Sequence, residues 1–154
     1  MKDAEEFRYL VLAVQREGNR LLAAELRPLG LTPSQAEVVS VLDDRGPLTL
    51  SGLGELLVCE TGVNPSRLVD RLVTAGIVER VTDAGDRRHV TLTLTADGAQ
   101  LAERVQEVQD GLNNALEEML AGQPVASTLT TLRSVASRFP AGEKVRRRKE
   151  APVR

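Results

Sequence analysis

The sequence predicts a mostly α fold carrying one small β-hairpin. Three observations predict it. Apolar residues recur at spacings of three and four along most of the chain, as helices with one buried face require. A single stretch, "DAGDRRHVTLTLTADG" (83–98), alternates instead, with Val90, Leu92 and Leu94 on one side and Thr91, Thr93 and Thr95 on the other, the pattern of a strand with one buried face. Pro and Gly break the helical stretches at short intervals, so the elements are joined by turns.

The elements follow in order. Residues 4–27 read as a helix through Phe7, Leu10, Val11, Val14, Leu21, Leu22 and Leu26. Pro28 and Gly30 end it. Thr32-Pro33-Ser34 supplies an N-cap and a first-turn proline for a second helix reaching about Asp44. "DRGPL" breaks the chain again. Thr49 opens a short third helix, "LSGLGELLV", and Asn64-Pro65 opens a fourth, "PSRLVDRLVTA", with Leu68, Val69, Leu72 and Val73 on its apolar face. Gly76 falls at the left-handed cap position. "IVERV" and the alternating stretch form an antiparallel hairpin. Thr95 caps a long helix, Ala96 to Leu120, on which Leu101, Val105, Val108, Leu112, Ala115 and Met119 form a heptad seam. Pro124 opens a last helix with Val125, Leu129, Leu132, Ala136 and Phe139 at similar spacing. The tail "EKVRRRKEAPVR" has six basic and two acidic residues and no periodicity, so it reads as disordered.

Composition bounds the function. The 154 residues suit one domain. With two Phe, one Tyr and no Trp, the core must be built from Leu, Val and Ala. The net charge of −2 excludes a generally basic coat but not a local basic face. One cysteine, Cys59, precludes an internal disulfide, and one histidine, His89, precludes a Cys/His zinc site. The N-terminus lacks the apolar core of a signal peptide and no run approaches membrane-span length. The expectation is a cytoplasmic chain with no cofactor, no metal and no membrane partner. An enzyme is the weakest class, for there is no nucleophile beside a base, no phosphate-cradling glycine loop and no metal set.

The third and fourth helices form a helix-turn-helix, whose second helix can enter a DNA major groove. Gly54 reads as the small residue that lets the two helices cross closely. Arg67 and Arg71 share one side of the fourth helix, with Ser66 and Asp70 on the same non-core face. Asn64 and Pro65 start that helix, and a helix N-terminus is a natural phosphate contact. Asp86, Arg87 and Arg88 sit at the hairpin tip.

From about Leu31 to Gly98 the chain resembles the MarR family of bacterial transcription regulators. "PSRLVDRLVTAGIVERV" is similar to the family's recognition-helix pattern and "DRRHVTLTLTADG" to its wing. The order of elements is also similar, and two features depart from it. The turn "CETGVNP" is about one residue longer, with Pro65 where the family continues helix. Gly52 stands where a glutamate often completes a capping box.

The resemblance implies a winged helix-turn-helix flanked by dimerisation helices. It divides the chain into an N-terminal dimerisation helix (1–30), a DNA-binding region (31–95), C-terminal dimerisation helices (96–140) and the basic tail (141–154). It implies major-groove and backbone contacts from Ser34, Asn64, Pro65, Ser66, Arg67 and Arg71. It implies wing contacts from Asp86, Arg87, Arg88 and His89, with an arginine drawn to the narrow minor groove and Asp86 paired to one of the arginines. Dimerisation falls to Phe7, Leu10, Val14, Leu112, Met119, Leu129, Leu132 and Phe139. The partners implied are double-stranded DNA, a second copy of the chain and a small anionic aromatic effector. Gln15, Arg16 and Asn19 are candidates for an effector pocket, and equally the first helix's polar face. Cys59 reads as a buried structural cysteine, since the family's peroxide sensors carry theirs in the first helix. The function implied is a homodimeric regulator, a repressor, binding a pseudo-palindromic operator. The alternative is a winged-helix module that binds a protein partner.

Overall fold

The computed structural model describes residues 1–59 and 64–150. These form α1 (Asp3–Leu26), a 3₁₀ turn (Arg27–Leu29), α2 (Pro33–Arg45), α3 (Leu50–Gly54), α4 (Pro65–Thr74), β1 (Val78–Thr82), β2 (Val90–Leu94), α5 (Ala96–Leu120), α6 (Val125–Ala136) and α7 (Pro140–Lys149). The architecture is the mostly helical one with a small β wing that the sequence predicts.

Short-range signals set the helix starts. Thr32 Oγ1 accepts the Gln35 N–H at 3.3 Å while Gln35 Oε1 accepts the Thr32 N–H at 2.9 Å, a capping box. Asn64 Oδ1 accepts the Arg67 N–H at 3.1 Å, with Pro65 as the first helical residue. Thr95 Oγ1 accepts the Gly98 N–H at 3.0 Å. Gly76 leaves α4 at φ 75°, in the left-handed region. In the wing, Val78 pairs with Leu94 and Thr82 with Val90, antiparallel. Leu48, read from sequence only as part of a break, adds a bridge: its N–H donates to Leu92 O at 3.1 Å and its carbonyl accepts from Leu92 N at 2.7 Å.

Four sequence expectations are corrected. The third helix stops at Gly54 rather than running to Val58, because the Val58 and Cys59 amides donate to the Glu37 carboxylate instead of to helix carbonyls. Two glycines within α3 also weaken it. Gly54 is not a tight crossing point: a Cβ there would lie 3.8 Å from Pro65 Cγ, an ordinary contact. The α5 seam is split, with Val105 fully buried in the chain's own core while Met119 is 71% exposed. The tail is not disordered over its first part. It forms α7, opened by Pro140 at its first position and laced by Glu143 to Arg146 and Arg147. The extra residue expected in "CETGVNP" falls on residues 60–63, and the last four residues of the tail are 151–154; both stretches lie outside the described residues.

One hydrophobic cluster joins Leu26 of α1, Val39 of α2, Leu53 of α3, Leu72 of α4, Leu92 of β2 and Val105 of α5. Divisions at residues 30 and 95 therefore cut through a shared core. No described helix is long and apolar enough to cross a membrane.

Gly98 holds a special place in that core. It is buried in the first turn of α5, and a Cβ there would collide with the Ile77 carbonyl oxygen. Gly111, farther along the same helix, has nothing within 4 Å of its Cβ position. Gly98→Ala should therefore cost about 1–3 kcal/mol by overpacking, whereas Gly111→Ala should gain about 0.5–1 kcal/mol of helix propensity. Opposite shifts of the urea midpoint for the two variants are the expected result.

Candidate nucleic-acid interface

Helix α4 turns Leu68, Val69 and Leu72 into the core. The same 3.6-residue period leaves Arg67, Asp70 and Arg71 exposed. Asp70 is held by Arg80 from β1 in an exposed ion pair, so the one carboxylate on this face is neutralised. Neither Arg67 nor Arg71 makes an ion pair with another described residue, and the same holds for Arg87 and Arg88. Four guanidinium groups are thus presented from α4 and from the hairpin beside it.

The hairpin tip is built by carboxylates that accept backbone amides. Asp83 Oδ1 accepts the Gly85 N–H at 2.8 Å, and Asp86 Oδ1 accepts the Arg88 N–H at 2.9 Å. The His89 N–H donates to Asp86 O and the Asp83 N–H to His89 O, both at 3.0 Å. These are turns closed by an aspartate side chain. The expectation that Asp86 pairs with an arginine side chain is corrected: Asp86 shapes the tip through the Arg88 backbone and leaves both guanidiniums in solvent. His89 is exposed beside them.

Not every predicted contact residue reaches this face. Ser34 is 1% exposed and its Oγ donates to Cys59 O at 3.5 Å, so it is a buried partner of the chain and not a surface contact. The first turn of α4 is also less open to phosphate than its position implies. Pro65 has no N–H and Asn64 occupies the Arg67 N–H. The Ser66 amide is the one first-turn N–H without an acceptor among the described residues. Asn64 and Pro65 act here as a cap.

The sequence reading passed over Glu37. It is 6% exposed, within the apolar run "AEVVSVL". Its Oε1 accepts the Val58 N–H at 2.8 Å and its Oε2 the Cys59 N–H at 2.7 Å. Arg148 Nη1 donates to Oε1 at 2.7 Å. A carboxylate amid core residues was the available signal, since charges are almost never buried unpaired. Cys59 itself is exposed, not buried as expected. Burial, then the Glu37 charge, pushes its thiol pKa up to about 11.

The candidate dimerisation residues, apart from the half-buried Leu112, stand open to solvent. Phe7, Leu10 and Val14 are 37%, 57% and 69% exposed, Leu129 and Leu132 are 40% and 36%, and Phe139 is 59%. A groove of about 550 Å³ runs between α1 and α6, lined by Phe7, Leu10, Val14, Gln15 and Leu132. Leu112 lines a second, apolar cleft of about 410 Å³ between α1 and α5 with Leu21, Leu22 and Val108. Its charged members are Glu25 and Glu107, and neither Arg16 nor Asn19 lines it.

The chain matches a family model, that of the MarR family, over residues 29–89. Over 127 residues it is 32% identical to the multiple antibiotic resistance protein MarR of Escherichia coli (strain K12), spanning 82% of this chain and 88% of that protein. Over 108 residues it is 28% identical to the organic hydroperoxide resistance transcriptional regulator of Bacillus subtilis (strain 168), spanning 70% of this chain and 73% of that one. Among solved structures, a mutant MarR from E. coli complexed with operator DNA superposes with a TM-score of 0.73 at 30% identity, covering 84% of this chain and 93% of that chain. The S. aureus MepR–DNA complex gives 0.78 at 22% identity over 86% and 98%, a likeness of fold.

The raised thiol pKa has a direct chemical consequence. The thiolate is the nucleophile, and a pKa near 11 leaves little of it at pH 8. The stronger intrinsic nucleophilicity of a more basic thiolate offsets part of that loss, so alkylation of Cys59 by iodoacetamide at pH 8 should run about tenfold slower than that of an unstructured peptide thiol. Glu37→Gln should speed it. Alkylation at the peptide rate would show that the thiol is not sheltered.

Proposed function

The chain belongs to the MarR family of transcription regulators, and on that premise we propose that it binds double-stranded DNA as a homodimer, recognises a pseudo-palindromic operator and acts as a repressor. One observation carries the DNA part: exposed Arg67 and Arg71 on α4 stand beside exposed Arg87 and Arg88 on the wing, without a carboxylate partner among the described residues. In this reading α4 enters the major groove, where an arginine is bidentate to guanine. The wing tip lies at the minor groove, where a narrow groove's negative potential attracts a guanidinium. The E. coli relative complexed with operator DNA, 30% identical, supports this use of the fold.

The homodimer part rests on the apolar side chains of α1, α5 and α6. An unpartnered face of this extent marks an interaction site, and a two-fold pair would bury α1 and α6 of both copies together. The regions 1–30 and 96–140 then serve dimerisation and 31–95 serves DNA, with one core shared across those limits. Two recognition helices would meet successive major grooves about 34–36 Å apart. For an effector, the cleft between α1 and α5 offers Glu25 and Glu107 and no cation. It suits an apolar or cationic molecule better than an anionic one.

Binding to the DNA upstream of the gene, by fluorescence anisotropy across a salt series, tests the reading. Affinity about 10³-fold or more above random duplex, falling steeply with salt, is the expected result. If a random-sequence selection also yields no preferred site, specific recognition is refuted. Arg67→Ala or Arg71→Ala should cost about 1–3 kcal/mol on the operator if bidentate to guanine, and much less on random DNA. Arg87→Ala should weaken binding most where the flanks are A·T-rich.

The dimer is tested by Leu10→Asp combined with Val14→Asp. Both side chains are exposed in the single chain, so helicity should survive while light scattering reports the monomer mass. Operator affinity should fall at least about 100-fold, because the two half-sites are then bound independently. A dimer mass with unchanged affinity would place the interface elsewhere.

A further inference from the structure

The basic run at the C-terminus looks like a phosphate-binding tail, yet its three consecutive arginines, Arg146 to Arg148, are engaged within the chain. Arg146 is held by Glu143 and Glu150, and Arg147 by Glu143 and by Glu55 just beyond α3. Arg148 reaches Glu37 at 2.7 Å. Arg45, the last residue of α2, returns the contact: its Nη2 donates to the carbonyls of Arg147, Arg148 and Glu150 at 3.1, 3.0 and 2.7 Å. A cation at a helix C-terminus is favoured by the helix dipole. The other end of α7 is fixed too, since Gly142 packs on the Ala136 carbonyl where a Cβ would collide. Helix α7 is therefore tied at three points, to Glu37 and Arg45 of α2 and to Glu55 just beyond α3.

Glu37 gives that docking a reach beyond α7. Its two oxygens hold the Val58 and Cys59 amides, at the end of the described segment that follows α3. Arg148 supplies the only cation on this buried carboxylate among the described residues. Ser34, one turn earlier on α2, donates to the Cys59 carbonyl, so the same short segment is gripped from α2 on both its N–H and its C=O sides. Without Arg148, Glu37 would be a buried charge compensated among the described residues by two amides alone, and a buried charge without its counter-ion is costly to hold in place.

We propose that α7 is a clamp on the helix-turn-helix. Arg148 and Glu37 are positioning residues: through them the C-terminal helix fixes the backbone at Val58 and Cys59 and thereby the approach of α4 to DNA, without itself touching DNA. The inference about DNA rests on the function proposed above; the inference about the backbone does not.

The test uses the full chain and two readouts. Amide exchange by NMR reads the clamp directly. In Arg148→Ala the Val58 and Cys59 amides should exchange at least tenfold faster while a core amide of α2, Val39, keeps its rate. Equal acceleration of all three, or of none, overturns the proposal, because the first is general destabilisation and the second is no coupling. Anisotropy against the selected operator reads the consequence. Arg148→Ala should weaken binding about tenfold with an unchanged salt dependence; Arg148→Lys should lose less. Weaker binding with the slope of log affinity against log salt reduced by about 1 would instead make Arg148 a phosphate contact and overturn the positioning role. In the Glu37→Gln background, Arg148→Ala should cost less than threefold, and an undiminished cost there would overturn the coupling. If the wild-type chain prefers no DNA site, the regulator reading fails by itself and the exchange data still decide the clamp.

Discussion

The structure turns on the place where the first turn of α5 meets the end of α4. Thr95 Oγ1 donates to the Gly76 carbonyl at 2.6 Å and accepts the Gly98 N–H at 3.0 Å, while the Thr95 N–H donates to Ile77 O at 3.0 Å. Gly98 lies so close to Ile77 that no side chain fits between them. The residues involved are the cap of α4, the entry to β1, the exit from β2 and the cap of α5. The loop from α4 through the wing to α5 is closed on itself. Arginines on α4 and on the wing therefore share one rigid frame with the long helix that extends away from them.

That frame explains why α5 has two characters. Its first half packs Leu101, Ala102 and Val105 against α2 and α1, and Gln109 Nε2 reaches Ser40 Oγ on α2 at 3.0 Å. Its far end leaves Leu116 and Met119 open. Its near end is tied to the end of α4 through Thr95 and Gly98, and its far end carries exposed apolar side chains. Coupling between distant sites requires an element whose arrangement both sites bias, and α5 joins the apolar end of the molecule to the arginine-bearing one.

Legibility in the sequence followed the range of the interaction. Thr32, Asn64 and Thr95 each cap a helix through an amide three residues away, so their meaning lies within a single turn of text. Gly76 needed only its place after an apolar period, and β2 announced itself by alternation. The misreadings share the opposite property. Glu37 joins residues 21, 22 and 111 positions away, Ser34 pairs 25 positions away, and Leu48 pairs with Leu92 across the wing. Nothing near Ser34 in sequence distinguishes a buried hydroxyl from an exposed one. The tail misled for a related reason: "EKVRRRKE" has no apolar period, yet its i,i+3 and i,i+4 ion pairs and the Arg45 cap make it a helix. A polar helix of this kind is held by partners that local pattern does not contain.

The same contacts bear on how a chain of net charge −2 presents a cationic face. On and around the helix-turn-helix, several of the described carboxylates that would oppose an approaching polyanion are engaged, Glu79 on β1 being an exception. Asp70 is held by Arg80, Glu55 by Arg147 and Glu37 by Arg148, while Asp83 and Asp86 turn oxygens toward backbone amides. The exposed pairs among these contribute little to stability. Their effect is on the field: a paired carboxylate repels a phosphate less than a bare one, and Arg67, Arg71, Arg87 and Arg88 have no carboxylate partner among the described residues. Net charge summed over the chain misses this, because an electrostatic footprint depends on which charges face outward alone. A composition slightly acidic overall is thus compatible with a locally basic surface, provided the acidic side chains set among its arginines, such as Asp70, Asp83 and Asp86, are given donors.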